Sequence, residues 1–230
     1  MDIGSALLPI GIIPALFILY FTLGGYENKF KGSYIFLTFI GGIAIGTLVY
    51  FMEIWFLTIF EYDVMLQAID VILIVSFIFA FFENLTKLVV LNLPKFQHEE
   101  GIILYGASIG LGFASPSGAV LMRNVPSLFS MQGFYVAVLA ISILFLSCST
   151  GTWIGVGIKR KQRMKYLAIV SLMGLAVWPI IFFRSSGYVV IIAIIYSAFI
   201  YIYTIKAIRP YLMGRKGLKE VYKRKWLRKI

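Results

Sequence analysis

A single cysteine and a single histidine set the first limits on this chain of 230 residues. Cys148 has no second thiol to pair with, so an intrachain disulfide is excluded and redox compartment cannot be read. One His and one Cys cannot complete an ordinary structural zinc site. No HExxH run exists to carry a zinc peptidase. Neither metal nor any other cofactor is therefore expected. Ser117-Gly118 resembles a nucleophile turn, but the lone His98 lies in the PKFQHEEG loop, leaving that serine without an intramembrane histidine base. No internal repeat or low-complexity segment stands out, and the hydrophobic segments lack the inverted pairing that marks many transporters. Asp2 stands where a cleaved signal would carry basic residues, so the N-terminal segment is read as a retained helix.

Long apolar runs dominate what is present. Hydrophobic residues make up 60% of the chain, and the mean hydropathy is +0.92. A bilayer core of about 30 Å needs about 20 apolar residues in a helix. Seven stretches meet that need: Ala6–Leu23, Tyr34–Phe60, Met65–Leu93, Gly101–Met122, Phe134–Ile158, Tyr166–Phe183 and Tyr188–Ile208. Spanning backbone must satisfy its own hydrogen bonds, and sustained apolar runs rather than alternation favour helices over barrel strands. The expected fold is all-α, a polytopic bundle of seven transmembrane helices over residues 1–208, followed by a basic interfacial tail over 209–230.

Charge placement orients the bundle. With the N-terminus outside, all but Arg123 and Arg184 of the 21 lysines and arginines fall on or near inner loops or the tail. N-out and C-in is therefore expected, with the tail in the cytoplasm and the chain in the plasma membrane. The net charge of +11 is accounted for by contact with anionic inner-leaflet lipid, and a nucleic-acid partner is not expected.

Ionisable residues inside a span are costly and mark functional candidates. Glu83 and Lys87, one turn apart in FFENLTKLVV, suit an i,i+4 ion pair, either a structural pair with Lys87 snorkelling inward or a functional polar site. Glu83 lies about 15 Å from the inner end of its span and Glu53 about 28 Å from the inner end of its own. On that count Glu53 is expected at the outer interface, too far from Glu83 to share a proton or metal, and Asp70 is expected near the same face. In the fourth span, Gly106, Gly110, Ala114 and Gly118 recur every four residues, a seam that lets another helix backbone approach closely. The same span holds Pro116, expected to kink it, and Ser108, Ser115 and Ser117. A retinal-type site needs a mid-membrane lysine on the last span, but Lys206 stands at its end.

Two stretches resemble the PrsW family of intramembrane proteases, within the wider CAAX-protease-like group. The first is Glu83-Asn84-Leu85-Thr86-Lys87. The second runs from Glu100-Gly101-Ile102-Ile103-Leu104-Tyr105-Gly106-Ala107 into Gly110-Leu111-Gly112-Phe113-Ala114. The resemblance covers about forty residues and implies a helical membrane bundle with a glutamate site. It breaks at the chemistry. Asn84 replaces the second glutamate of the first motif, Ser117 and Gly118 replace a Glu-Asn pair, and Ser147-Cys148-Ser149-Thr150-Gly151 stands where the family carries a histidine. The chain is also similar in span number, orientation and small-residue seam to the anterior-pharynx-defective scaffold subunit of gamma-secretase. It lacks that family's buried histidines. The resemblances imply a non-catalytic scaffold or packing subunit for another integral membrane protein, or for a second copy of this chain. The alternative is an active intramembrane peptidase using Glu83, with Lys87 beside it and a water held by Asn84 and Ser117.

Overall fold

The computed structural model describes residues 7–59, 69–122, 125, 129–176 and 187–227, with side chains described over 9–212 of that set. Among the described residues the chain is helical, without a strand. A π-helical turn, Leu7–Ile12, leads into α1, Ile13–Leu23. Then come α2, Gly32–Ile59, and α3, Ile69–Leu91. A single helical turn, Pro94–Gln97, precedes α4, Ile102–Leu121. The remaining helices are α5, Met131–Lys159, α6, Arg163–Leu175, and α7, Gly187–Leu227. Five helices are long and apolar enough to cross a membrane: α2, α3, α4, α5 and α7 through Leu212. The apolar helix Pro9–Leu23 is shorter, and α6 spans 13 residues. Five of the seven expected spans thus fall on helices of spanning length, while the first and sixth fall on shorter helices; Ala6, Phe60, 65–68 and 177–183 lie outside the described residues. The backbone of α7 continues as helix through Pro210 into the basic tail.

The bundle is built around α4, whose spanning window is entirely buried. Its glycines make this possible. A Cβ on Gly106 would overlap the carbonyl oxygen of Gly151, and one on Gly151 would overlap that of Gly106, so α4 and α5 touch backbone to backbone. Gly110 meets Ser147 and Cys148 of α5 in the same way, and Gly155 meets Ile102 and Ile103. One turn beyond Gly110, Ala114 is buried at 1% exposure, and a turn farther Gly118 faces Ile10 and Ala140. On the opposite side of α4, Gly112 abuts Phe39, while Gly42 and Gly46 of α2 abut Ile109 and Phe113. The small-residue seam thus closes on helices of the same chain. Dispersion between close backbones replaces a hydrophobic driving force that lipid cannot supply.

Helix directions follow from these contacts. Lys31 donates its backbone N–H to the Tyr105 hydroxyl at 3.0 Å, Ser108 donates to the Ile35 carbonyl at 2.7 Å, and Gly46 packs on Phe113. Residue numbers rise together, so α2 and α4 are parallel. Phe56 meets Phe79 with ring centroids 5.7 Å apart, and Glu53, earlier on α2, lies within electrostatic reach of Glu83, later on α3. These two are antiparallel.

The basic loops gather at one end. Lys31 pairs with Glu99 at 2.7 Å, Arg163 donates to Gln97 at 3.2 Å, and Arg160 donates to both Tyr166 and Tyr211. Phe96, from the single turn, tucks between Tyr34 and Tyr105, with centroid distances of 5.6 and 6.2 Å. This closure is aromatic; the Lys31–Glu99 ion pair is solvent-facing and worth little to stability.

Candidate functional site

The polar residues of α2 and α3 collect on the flank of α4. The buried face of α2 reads Ile35, Thr38, Phe39, Gly42, Gly46, Val49, Tyr50 and Glu53, a helical stripe at three- and four-residue spacing. Its last member is a carboxylate. On α3 the buried face includes Phe79, Ala80, Asn84, Lys87 and Leu88, with Glu83 at its edge, 13% of its side chain exposed.

Lys87 sits at the centre. Its side chain is 1% exposed, and Nζ lies 3.8 Å from Glu83 Oε2. It donates to Thr150 Oγ1 of α5 at 3.5 Å and lies over the Phe113 ring of α4, 4.7 Å from its centroid. Both polar distances exceed the usual 2.7–2.9 Å or so of a charged N–H···O bond, so the ammonium is held loosely. The expected i,i+4 pair is present, but Lys87 points into the bundle rather than snorkelling to a surface.

Glu53 is where the sequence reading has to be corrected. It is 4% exposed and lies within electrostatic reach of both Glu83 and Lys87. It belongs to the same cluster, close to the glutamate from which the sequence reading separated it. Counting rise along each helix placed the backbones but ignored where side chains lean. Every Cα–Cβ bond tilts toward its helix N-terminus. Because α2 and α3 are antiparallel, Glu53 leans along the bundle in one direction while Glu83 and Lys87 lean in the other, which brings their charged ends together. The available sequence signal was register: Glu53 continues the Gly42, Gly46, Tyr50 stripe. Both Glu53 oxygens are buried without a hydrogen-bond partner among the described residues.

Hydroxyls complete the surroundings. Tyr50 is within electrostatic reach of both glutamates, and its hydroxyl interacts with that of Ser117. Ser117 also donates to the Ala114 carbonyl at 2.6 Å. Thr150 donates back to the Ser147 carbonyl at 3.2 Å, and the buried Ser147 hydroxyl has no partner among the described residues. Asn84 faces α6 instead, donating to Ala80 at 2.8 Å and to the Val170 carbonyl at 3.4 Å. Glu83, Lys87 and Ser117 thus share the pocket with Glu53, Tyr50 and Thr150, whereas Asn84 braces α3 against α6. Asp70 is exposed in the first turn of α3, and His98 is exposed beside the single turn Pro94–Gln97. No group of three or more His, Cys, Asp or Glu able to hold a metal occurs among the described residues. No family model, curated protein or solved structure matches the chain.

With all three groups ionised, the two carboxylates and one ammonium leave a surplus of one negative charge. A low-dielectric interior tolerates that poorly. The arrangement can hold or exchange a proton, and it can orient a polar guest.

Proposed function

We propose that this chain is a PrsW-like integral membrane protein with seven spans, N-out and C-in, that is non-catalytic and serves as a packing subunit for another membrane protein. One observation carries the reading. Two of the three places where the resemblance expects catalytic groups meet at Lys87, Glu83 at 3.8 Å and Thr150 at 3.5 Å; the third, Ser117, joins them through Tyr50, and neither hydroxyl is suited to proton transfer near neutral pH. Glu83 retains the acid. Ser117 and Gly118 stand for the Glu-Asn pair, and Ser147 to Thr150 for the histidine. Lys87 fills the middle, bonded to Thr150. A pocket with that layout supports descent from a hydrolytic site, and its contents support loss of hydrolysis.

The partner would be another integral membrane protein or a second copy of the chain. It would not engage the Gly106–Gly110 seam, which α5 already covers. The lipid-facing sides of α2 and α3 offer large exposed apolar residues such as Phe51, Trp55, Ile74 and Phe77. The gathering of basic loops at one end supports that end as cytoplasmic, facing anionic lipid of the plasma membrane.

A second reading, an intramembrane peptidase using Glu83, is favoured by one specific feature: Glu53 supplies a second carboxyl to the pocket. Two carboxyls sharing a proton can provide an acid and a base together. Purification in mild detergent, followed by identification of co-migrating proteins and their chain lengths, separates the two readings. The packing reading expects a full-length partner with wild type and with Glu83→Gln alike. A partner clipped by wild type and intact with Glu83→Gln would overturn it in favour of the peptidase. Migration of the chain alone as a monomer would remove the packing role.

A further inference from the structure

We propose that the Glu53–Glu83–Lys87 cluster is a binding site for one monovalent cation, taken up between the two carboxyls. This inference does not depend on whether the chain is a scaffold or a peptidase.

Glu53 and Glu83 face a single ammonium, and the cluster lies in helices long and apolar enough to cross a bilayer. The titratable groups facing Glu53 are Tyr50 on its own helix and Glu83 and Lys87 on α3. The neighbouring contacts from α4 and α5 are the Phe113 ring and the Ser117 and Thr150 hydroxyls, none of which carries charge. Nothing described there supplies the missing positive charge. An uncompensated buried carboxylate is among the most costly groups a membrane protein can hold.

Hydrogen bonding gives a second, independent indication. Both Glu53 oxygens are buried and unpartnered, although a carboxylate can accept about four bonds. Lys87 does not reach them: its polar contacts are Thr150 and Glu83, at 3.5 and 3.8 Å. A cation between the carboxyls would satisfy the Glu53 oxygens and neutralise the cluster in one step. Oxygen donors with no thiol or imidazole suit a proton or a hard alkali ion. A divalent ion would leave the cluster with a surplus positive charge.

The test uses the full chain purified in detergent, in sodium-free choline buffer and in sodium chloride at equal ionic strength and neutral pH. Infrared spectroscopy reads the carbonyl stretch of protonated carboxyls, identified by its shift in D2O. If the cation is a proton, sodium-free wild type shows a buried protonated-carboxyl band that sodium does not remove. Glu53→Gln and Glu83→Gln each abolish it, because one carboxylate against Lys87 is already neutral. If the cation is sodium, adding it removes the band and raises the wild-type melting temperature, but does neither in the two variants. Lys87→Met gives an arm that survives a misfolded glutamate variant: with the ammonium gone, the sodium-free band should double. A wild-type protein with no such band in sodium-free buffer overturns the proposal. So does a band that persists in a folded Glu53→Gln, or one unchanged in Lys87→Met.

Discussion

Two adjacent glycines on α2 provide a sharp test of the packing. Gly41 and Gly42 differ by one position and about 100° around the helix, and their surroundings are opposite. A Cβ on Gly41 would meet nothing within 4 Å. A Cβ on Gly42 would sit 2.6 Å from the Ile109 carbonyl oxygen and 2.9 Å from the Phe113 nitrogen, both rigid backbone atoms of α4. Alanine at either site brings the same gain in helix propensity, at most about 1 kcal/mol. At Gly42 the helices must also separate by several tenths of an ångström, which costs about 1–3 kcal/mol as overpacking. The expected difference in unfolding free energy between Gly41→Ala and Gly42→Ala is therefore about 1–3 kcal/mol, a factor of roughly 5 to 150 in the equilibrium constant. Reversible unfolding by SDS titration from mild detergent, followed by far-UV circular dichroism, measures it. Gly41→Ala should match or exceed wild type, and Gly42→Ala should fall below. Equal effects at the two sites would refute the close approach of α2 and α4.

Removing Lys87 alone should be costly, whereas removing the pair should not. Lys87→Met is expected to lose about 3–5 kcal/mol, and Lys87→Met with Glu83→Gln should recover more than half of it, as measured in the same titration. Thr204→Val should cost about 1–3 kcal/mol by orphaning the Trp153 indole N–H, which now donates to Thr204 at 3.0 Å; an unchanged midpoint would discount that bond. In a Cys148→Ser background, a cysteine at position 129 should react with an impermeant maleimide added to intact cells. A cysteine at position 98 should react only after permeabilisation, and the reverse pattern would invert the proposed topology. Both native residues, Phe129 and His98, are exposed.

Helix positions were legible because a bilayer imposes a length that apolar runs must meet, and α2, α4 and α5 follow it to within a few residues. The seam on α4 was legible for a related reason: glycines at i and i+4 lie on one face whatever they pack against. What covers that face was not legible, since Gly151 and Gly155 of α5 lie 45 and 53 residues farther along the chain than Gly106 and Ile102, and only the fold brings them opposite. The Glu83–Lys87 pair could be read because both partners lie within one helical turn. Glu53 could not be read by depth alone, since its place depends on the antiparallel course of α2 and α3 and on the opposed lean of their side chains.

That dependence also bears on how the pocket can behave. The close backbone contacts of α2 are with α4, through Gly42, Gly46 and Gly112. On its other side α3 is fixed to α6, where Ala80 meets Gly174 and Asn84 reaches the Val170 carbonyl. The two carboxylates therefore belong to helices anchored on different neighbours, and Lys87 is a polar side chain that connects α3 to α4 and α5, through Phe113 and Thr150. Charge separation in the pocket is consequently set by how α3 lies on α6 relative to how α2 lies on α4. A change in cation occupancy alters the repulsion between Glu53 and Glu83 and acts directly on that relative position. Conversely, anything that moves α3 on the lipid-facing side changes the affinity for the cation by the same free energy.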